Sequence, residues 1–332
     1  MVDFFDNFLK RRREYPKIFW TYIDVAKSKA VSNSGRSKRL LKKAEDKAEN
    51  FGNLIDLAKM WMELFDDKSQ AKHLFEKAEE KAKYSYEFTE LAENRIKFFN
   101  EEKRAKQLVR KAIKEIQESD YSYYKVEDLA SIASTWMELF KNVKETERLL
   151  RKAEEYASTV EEFIILAEYW RDILNDDTNA RKVLRRSEKF FDECYDWMDV
   201  AKAWIELFND TEEAKQALKR AERKTYDNTD WEALAETWIE FFNDVEGAKQ
   251  VFIRSERKRN HFNSWVLLSM SWMKLFKDES QAKRLLKKAE KNAIKNINES
   301  FDLEFLAKTW IELFSDRKQA EKIMLLKEKT PI

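Results

Sequence analysis

A tryptophan that returns every 34 residues constrains the fold of this chain more than any other feature. Five tryptophans keep that spacing and two extend the series at longer intervals: Trp136, Trp170, Trp204, Trp238 and Trp272, then Trp61 and Trp310. Self-similarity at such a period is typical of repeat architectures, in which each repeat must stack on its neighbours to cover its apolar side chains. The 332 residues therefore predict one continuous array rather than two or three ordinary domains.

Each repeat reads as two helices joined by a tight turn. Around one anchor, large residues fall at helical spacing on one face: Trp197, Val200, Trp204, Leu207 and Phe208. We name this segment helix A. Helix B follows a polar pair, because Asp210 with Glu213 and Asp278 with Gln281 have the spacing of a capping box. With only 3 Gly and 2 Pro, the chain lacks the turn residues of a β-rich fold.

The repeats set the predicted domain organisation. Eight can be aligned, with Arg95 replacing the anchor tryptophan in one of them, and a degenerate repeat precedes them around Lys27. We predict an N-terminal capping helix and degenerate first repeat over 1–50, eight repeats over 51–327 and a C-terminal tail over 328–332. Two joints exceed the period, since Arg95 to Trp136 spans 41 residues and Trp272 to Trp310 spans 38. The surplus lies where helix B passes to the next helix A.

The two ends of the array carry apolar side chains. An N-terminal stripe predicts a cap over the first repeat: Phe4, Phe5, Phe8 and Leu9. In the last repeat, Leu325 and Leu326 stand where most other repeats carry basic residues. An exposed apolar end is a candidate for self-association as a homo-oligomer, or for a partner. A terminus that folds back is the alternative.

The repeat resembles the tetratricopeptide repeat. The resemblance lies in the first helix, Trp197-x-x-Val200-Ala201-x-x-Trp204, and in the second, Ala214-x-x-x-Leu218-x-x-Ala221. It is also similar to the half-a-TPR variety, because Ala180-Arg181 through Arg185-Arg186-Ser187 nearly matches its second helix. The chain departs from the family by using Ala for Gly and Trp for Tyr in helix A. The resemblance implies an all-α, right-handed α-solenoid of stacked helix-turn-helix repeats, about nine units, that acts as a protein–protein interaction scaffold.

Catalytic chemistry has few candidate residues here. His73 and His261 are far apart in sequence and Cys194 is the single cysteine, which argues against a metal cluster or a Cys-His pair. The three glycines are too dispersed for a phosphate-binding loop. We therefore expect no enzyme, no cofactor and no metal. The sequence lacks a signal peptide and a run of about 20 apolar residues, so we expect a cytoplasmic protein with no membrane partner.

Departures from the repeat are the better guide to a partner site, because packing alone explains the recurring residues. Two residues after the anchor, six of eight repeats carry an acid, which predicts an acidic-leaning groove along the A helices or simply a solvated face. A protein or peptide partner is expected in the groove near the Arg95 to Trp170 repeats. The candidate contact residues are Arg95, Lys97, Tyr169, Arg171, Tyr121, Tyr123 and Tyr124. Local repacking would also explain Arg95, and a longer helix B would explain the tyrosine-rich joint.

A rival interpretation places the binding surface on the B helices. Basic pairs recur fifteen and sixteen residues after the anchor on helix B, and we name them the basic rib: Arg110-Lys111, Arg151-Lys152, Arg185-Arg186, Lys219-Arg220 and Lys287-Lys288. Such a rib could bind nucleic acid or another polyanion. Glutamates two positions after the rib interrupt it in most repeats, and the net charge of +1 provides no global field for steering.

Overall fold

A computed structural model describes residues 17–119, 124–190, 193–258, 262–295 and 300–328. These residues form α-helices joined by short turns, and no strand occurs among them. The helices are α1 Lys17–Lys29, α2 Ser34–Glu45, α3 Phe51–Phe65, α4 Lys68–Lys81, α5 Ser85–Phe99, α6 Glu102–Glu118, α7 Lys125–Phe140, α8 Val143–Glu154, α9 Val160–Leu174, α10 Asp177–Ser187, α11 Cys194–Phe208, α12 Thr211–Lys224, α13 Asn228–Phe242, α14 Val245–Lys258, α15 Phe262–Phe276, α16 Glu279–Lys295, α17 Ser300–Phe314 and α18 Arg317–Glu328.

Odd-numbered helices are the A helices and even-numbered helices are the B helices. The chain is therefore an all-α repeat solenoid, and its degenerate first repeat is the pair α1 and α2. Both long joints contain a longer helix B, because α6 and α16 each have 17 residues whereas α8 has 12. The N-terminal stripe of Phe4 to Leu9 and the tail residues 329–332 lie outside the described residues.

The helices form two compact units. One lies within Met1–Ser158 and Ile165–Val183, and the other lies within Thr159–Ile164 and Leu184–Ile332. In the second unit, successive A helices contact one another along their backbones, α11 with α13, α13 with α15 and α15 with α17. Small buried residues three positions before the anchor permit this close approach: Ala201, Ala235, Ser269 and Ala307. The first unit has the same contacts between α3 and α5 and between α5 and α7.

The turn between helix A and helix B has one geometry throughout. The residue five positions after the anchor always takes a left-handed backbone conformation: Asp66, Asn100, Lys141, Asn175, Asn209, Asn243, Lys277 and Ser315, with φ between 45° and 54°. The next residue then caps helix B. Asp210, for example, accepts a hydrogen bond at Oδ1 from the Glu213 backbone N–H at 3.2 Å. This repeated turn positions each A helix against its own B helix and leaves one side of the A layer facing solvent.

The anchors pack as expected for core residues. Trp204 and Trp272 are buried, and each ring contacts the phenylalanine one turn later, at centroid distances of 5.3 Å and 5.0 Å. A lysine of the preceding B helix covers that phenylalanine in several repeats. Lys249 Nζ, for instance, lies 5.8 Å from the centroid of the Phe276 ring. Anchor, phenylalanine and lysine together join each repeat to the next within a unit.

Candidate partner-binding site

Arg95, which occupies the position of the anchor tryptophan in its repeat, lies in the interior of the first unit. Only 2% of its side chain is exposed, and its Nη1 donates to Glu101 Oε2 at 3.2 Å. The guanidinium also lies 5.8 Å from the centroid of the Phe99 ring. With so little exposed surface, Arg95 has a structural role in this conformation and offers almost no area to a partner on the A-helix face.

A second departure from the repeat explains how a buried arginine is accommodated. The residue that caps helix B is Asp or Asn in the other seven repeats but Glu101 in this one. Glu101 makes no side-chain cap, because its carboxylate instead binds Arg95 and Lys72. Hydrogen bonding to Lys72, reinforced by the charge of Arg95, lowers the pKa of Glu101. Arg95 and Glu101 therefore depart from the repeat together, because each is the other's partner. In the sequence, the sign of this pairing is a glutamate at a position where the other repeats have Asp or Asn.

The other predicted contact residues that the structure describes differ in exposure, since Lys97 and Tyr124 are exposed whereas Tyr169 and Arg171 are half-buried. Lys97 lies over the ring of Phe98, and Arg171 pairs with Asp172 at 2.8 Å. Tyr169 is half-buried, and burial together with the nearby Glu127 and Glu168 carboxylates raises its pKa. Tyr124 is exposed at the start of α7, while Tyr121 and Tyr123 lie outside the described residues. Their role in binding stays a prediction.

A pocket opens instead on the A-helix face of the second unit. It has a volume of about 660 Å³ and lies between α13, α15 and α17. Its apolar lining comes from Leu267, Met270, Met273 and Leu313. Leu267 is 40% exposed, which is unusual for a leucine on a helix whose opposite face is fully buried. Methionine side chains are flexible and polarisable, so they adapt to the shape of an incoming group.

One apolar residue of the pocket, Met270, interrupts a polar column of the repeats. Leu267 does not, because the position five residues before the anchor is mixed and carries Asp199 in one repeat and Phe305 in another. At the position of Met270, two residues before the anchor, every other repeat carries a charged residue or Ser134. Alignment of the repeats therefore contains a sequence signal for Met270, in a column other than that of the anchor.

Polar side chains form one wall of the pocket. Lys274 makes ion pairs with Glu232 and with Glu236, the latter at 3.0 Å. Ser271 donates to the other oxygen of Glu232 at 2.6 Å. Although burial opposes it, hydrogen bonding from Lys274 and Ser271 lowers the pKa of Glu232, and the same carboxylates raise the pKa of Lys274. Two carboxylates therefore hold one ammonium group, and Lys274 is not available as a free cation.

The acidic column on the A helices persists in the second unit. Glu206, Glu240 and Glu312 are exposed and make no ion pair among the described residues. Lys202 lies one turn before Glu206 on the same helix, yet it pairs with Asp199 at 3.3 Å. In the first unit, Lys59 likewise pairs with Glu90 rather than with Glu63. Within each unit the A layer thus keeps unpaired carboxylates.

Part of the basic rib is neutralised within each unit. Several of the glutamates that interrupt it bind a base of the following repeat, as Glu222 binds Arg254 at 2.7 Å and 2.9 Å. Glu79 binds Arg104 and Lys111, and Glu256 binds Arg284 and Lys288. Rib residues also lie over rings of helix A, with Lys288 Nζ 4.6 Å from the Trp265 centroid. These contacts occupy cations that a polyanion would need.

The last repeat contains a smaller groove, and Leu325 is not among its lining residues. The groove has a volume of about 370 Å³ between α17 and α18, and Ile311 and Met324 contribute to its lining. Leu325 is 53% exposed, whereas the side chain of Leu326 lies outside the described residues. Self-association through this end stays a prediction.

Two of the three residues considered for catalysis, His73 and Cys194, lie in the described part of the chain. Cys194 is buried, and burial with the Asp230 and Asp227 charges raises its pKa to about 12, so the thiolate is disfavoured. His73 lies on α4 beside Glu45, at 3.9 Å, and His261 falls outside the described residues. Among the described residues, no group of three His, Cys, Asp or Glu side chains could hold a metal ion, and no helix is long and apolar enough to cross a membrane.

Comparison with known proteins adds little to these observations. No protein-family model matches the chain, and none of the curated proteins does. One similar solved structure is a circular tandem repeat protein with a novel repeat topology and enhanced subunit contact surfaces. It is 15% identical, with 94% of this chain and 69% of that chain covered, and the TM-score is 0.16. Since the two backbones superpose so poorly, the fold assignment rests on the helices described above.

Proposed function

We propose that this chain is a non-enzymatic interaction scaffold, related to the tetratricopeptide and half-a-TPR repeats, that binds a protein segment along its A-helix surface. The observation that carries the proposal is the pocket between α13, α15 and α17. It combines exposed apolar side chains with a rim of fixed polar groups, which is the usual composition of a binding cleft. The proposal also places the protein in the cytoplasm, in keeping with a single, buried cysteine.

The pocket is suited to binding because helices hold its lining in place. Leu267, Met270 and Met273 project from one helix whose other face is buried in the core. Their backbone therefore needs no rearrangement when a partner arrives, which lowers the entropic cost of association. Full burial of one such side chain contributes about 1.5–3 kcal/mol. A few apolar contacts here would therefore supply useful affinity.

The position of this pocket differs from the site that the sequence suggests near Arg95. Both lie on A helices, so the functional class is unchanged and only the residues differ. The basic rib is the weaker candidate surface, because ion pairs already occupy several of its cations, including Lys111, Arg220 and Lys288. RNA or DNA binding whose affinity falls steeply with added salt would favour the basic rib as the working surface instead.

The test is a selection of displayed random peptides on the wild-type protein, followed by fluorescence anisotropy with purified variants. Leu267→Asp and Met270→Glu introduce residue types that the fold already accepts at these positions, namely Asp199 and Glu236 in other repeats. We expect selected peptides to lose at least about tenfold in affinity for either variant. Leu325→Glu is the matched control, since it changes an exposed apolar residue away from the pocket.

Retention of affinity in both pocket variants would rule out this pocket as the binding surface. Equal losses in the Leu325→Glu control would point to the exposed apolar end of the last repeat instead. Circular dichroism and thermal unfolding of each variant must match the wild type, so that lost binding is not lost folding.

A further inference from the structure

We infer that the segment bound in this pocket is a basic amphipathic helix. This inference rests on the proposed function and names its partner class. Two properties of the surface support it: the hydrogen-bonding state of the pocket's backbone and the charge along its rim.

The first property is that the pocket is built mainly from helix surfaces, since Lys277 alone of its described lining residues lies in a turn. Its lining residues from Leu267 to Lys274 lie inside α15, where backbone N–H and C=O groups are already paired within the helix. An extended peptide would bring unpaired backbone groups against an apolar surface that cannot satisfy them, at a cost for each buried group. A helical segment has internally paired backbone groups and presents only side chains. The pocket therefore favours a helix lying in the groove.

The second property is the charge beside the apolar floor. Glu240 and Glu312 occupy equivalent positions on α13 and α17, on either side of α15, and both are exposed and unpaired among the described residues. Between them, Lys274 is held by Glu232 and Glu236, so that this network carries a net charge of about −1.

Among the described residues, Lys277 is the other basic residue of the lining, and it lies in the turn after α15, beyond the apolar side chains. Glu232 and Glu312 line the pocket from α13 and α17, on either side of the apolar side chains of α15, whereas Glu240 lies one turn after Glu236 on α13 and does not line the pocket. A partner with Lys or Arg beside its apolar stripe complements these carboxylates.

The pocket dimensions agree with a few anchoring side chains. A volume of about 660 Å³ accepts two or three leucine-sized groups from successive turns of a helix. The exposed Leu267 and the flexible Met270 and Met273 would line their contact surface.

The experiment uses three fluorescein-labelled synthetic 14-residue peptides with the same leucine stripe and with Lys, Gln or Glu at every polar position. Anisotropy titrations with the whole chain compare their affinities at about 0.15 M salt. We expect the Lys peptide to bind about three- to tenfold more tightly than the Gln peptide, as two exposed ion pairs would give. The Glu peptide should be the weakest. A Lys peptide with a central proline should lose binding, because proline breaks the helix.

Variants separate the charge from the pocket. The double variant Glu240→Lys/Glu312→Lys should lose the preference for the Lys peptide. Glu212→Lys, which reverses the charge of an exposed residue on the B helix α12, should keep that preference. Met270→Glu should weaken all peptides that use the pocket.

Each outcome has a distinct meaning. Equal or tighter binding of the Gln or Glu peptide, still sensitive to Met270→Glu, would overturn the basic partner but leave the proposed function intact. Binding of the proline peptide would overturn the helical form. Lys-peptide binding that ignores Met270→Glu and disappears with salt would show surface adsorption, which overturns the inference. No Met270→Glu-sensitive binding by any peptide would count against the inference and the proposed pocket together.

Discussion

The inter-repeat ion pairs make a measurable contribution to stability, and Glu256 offers the sharpest test. Its carboxylate is 14% exposed and accepts hydrogen bonds from Arg284 at 3.0 Å and from Lys288 at 2.8 Å. Hydrogen bonding to Arg284, against the opposing effect of burial, lowers the pKa of Glu256 from 4.5 to about 2. At about 1.4 kcal/mol per pH unit, that interval corresponds to about 3 kcal/mol.

The realised contribution should be smaller than this figure. The side chains of Arg284 and Lys288 are 48% and 42% exposed, so solvent screens their interaction with the carboxylate. We therefore expect Glu256→Gln to lower the free energy of unfolding by about 1–2 kcal/mol at pH 7.

The pH dependence follows from the direction of the shift. A carboxyl group with a lowered pKa stabilises the folded state fully above its unfolded pKa, and that stabilisation is lost as pH falls toward the folded pKa. The difference between wild type and Glu256→Gln should therefore be constant from pH 7 to about pH 5.5 and shrink between pH 4.5 and 2. By pH 3 it should be roughly half of its neutral value or less.

Urea unfolding followed by circular dichroism provides the measurement, with Glu246→Gln as the control on the same helix. Glu246 is exposed and hydrogen-bonds only with Gln250 among the described residues. The reasoning would be refuted by a Glu256→Gln loss no larger than that of the control at pH 7. A loss that stays constant down to pH 3 would equally show that ionisation of Glu256 is not its source.

Three further outcomes test other parts of the structure. Lys141→Gly should raise the free energy of unfolding by about 1 kcal/mol in urea titrations, since glycine adopts the left-handed conformation without strain. Asn243→Gly should raise it less, because asparagine tolerates that conformation better than lysine. Equal gains in the two variants, or a loss in Lys141→Gly, would contradict this reasoning. In a double-mutant cycle, Arg95→Met and Glu101→Gln should each lower the free energy of unfolding, the former by about 3 kcal/mol or more. The double variant should lose less than the sum of the two single losses, and a loss equal to that sum would exclude coupling between the two side chains. Cys194 should resist iodoacetamide at pH 8 until urea unfolds the chain, as mass spectrometry would show, and rapid labelling of the folded protein would disprove its burial.

Much of the fold follows from local pattern because repeat architectures depend on short-range information. The 34-residue period and the helical spacing around Trp204 identify the helices and their buried faces. The capping positions are also readable, since Asp210 and Asp278 accept the expected backbone hydrogen bonds. These features need only neighbouring residues, and neighbouring residues are what a sequence displays.

Side-chain partners proved less predictable. Lys202 pairs with Asp199, and Lys59 pairs with Glu90 of the next repeat, whereas helical spacing alone suggests an acid one turn later in each case. Arg95 is buried and pairs with Glu101. Long charged side chains have several carboxylates within reach. The stacking distance between repeats decides among them, and no single-helix pattern contains that distance.

The candidate site shows the same division. The sequence alone determines that Met270 interrupts a column of polar residues on the A helices. Only the tertiary structure decides that Met270 meets Leu313 of another repeat in one pocket, and that Lys274 is held by two carboxylates of a third. The reason is physical: helix identity depends on contacts between residues a few positions apart, whereas a pocket depends on how repeats 34 or more residues apart come to lie side by side.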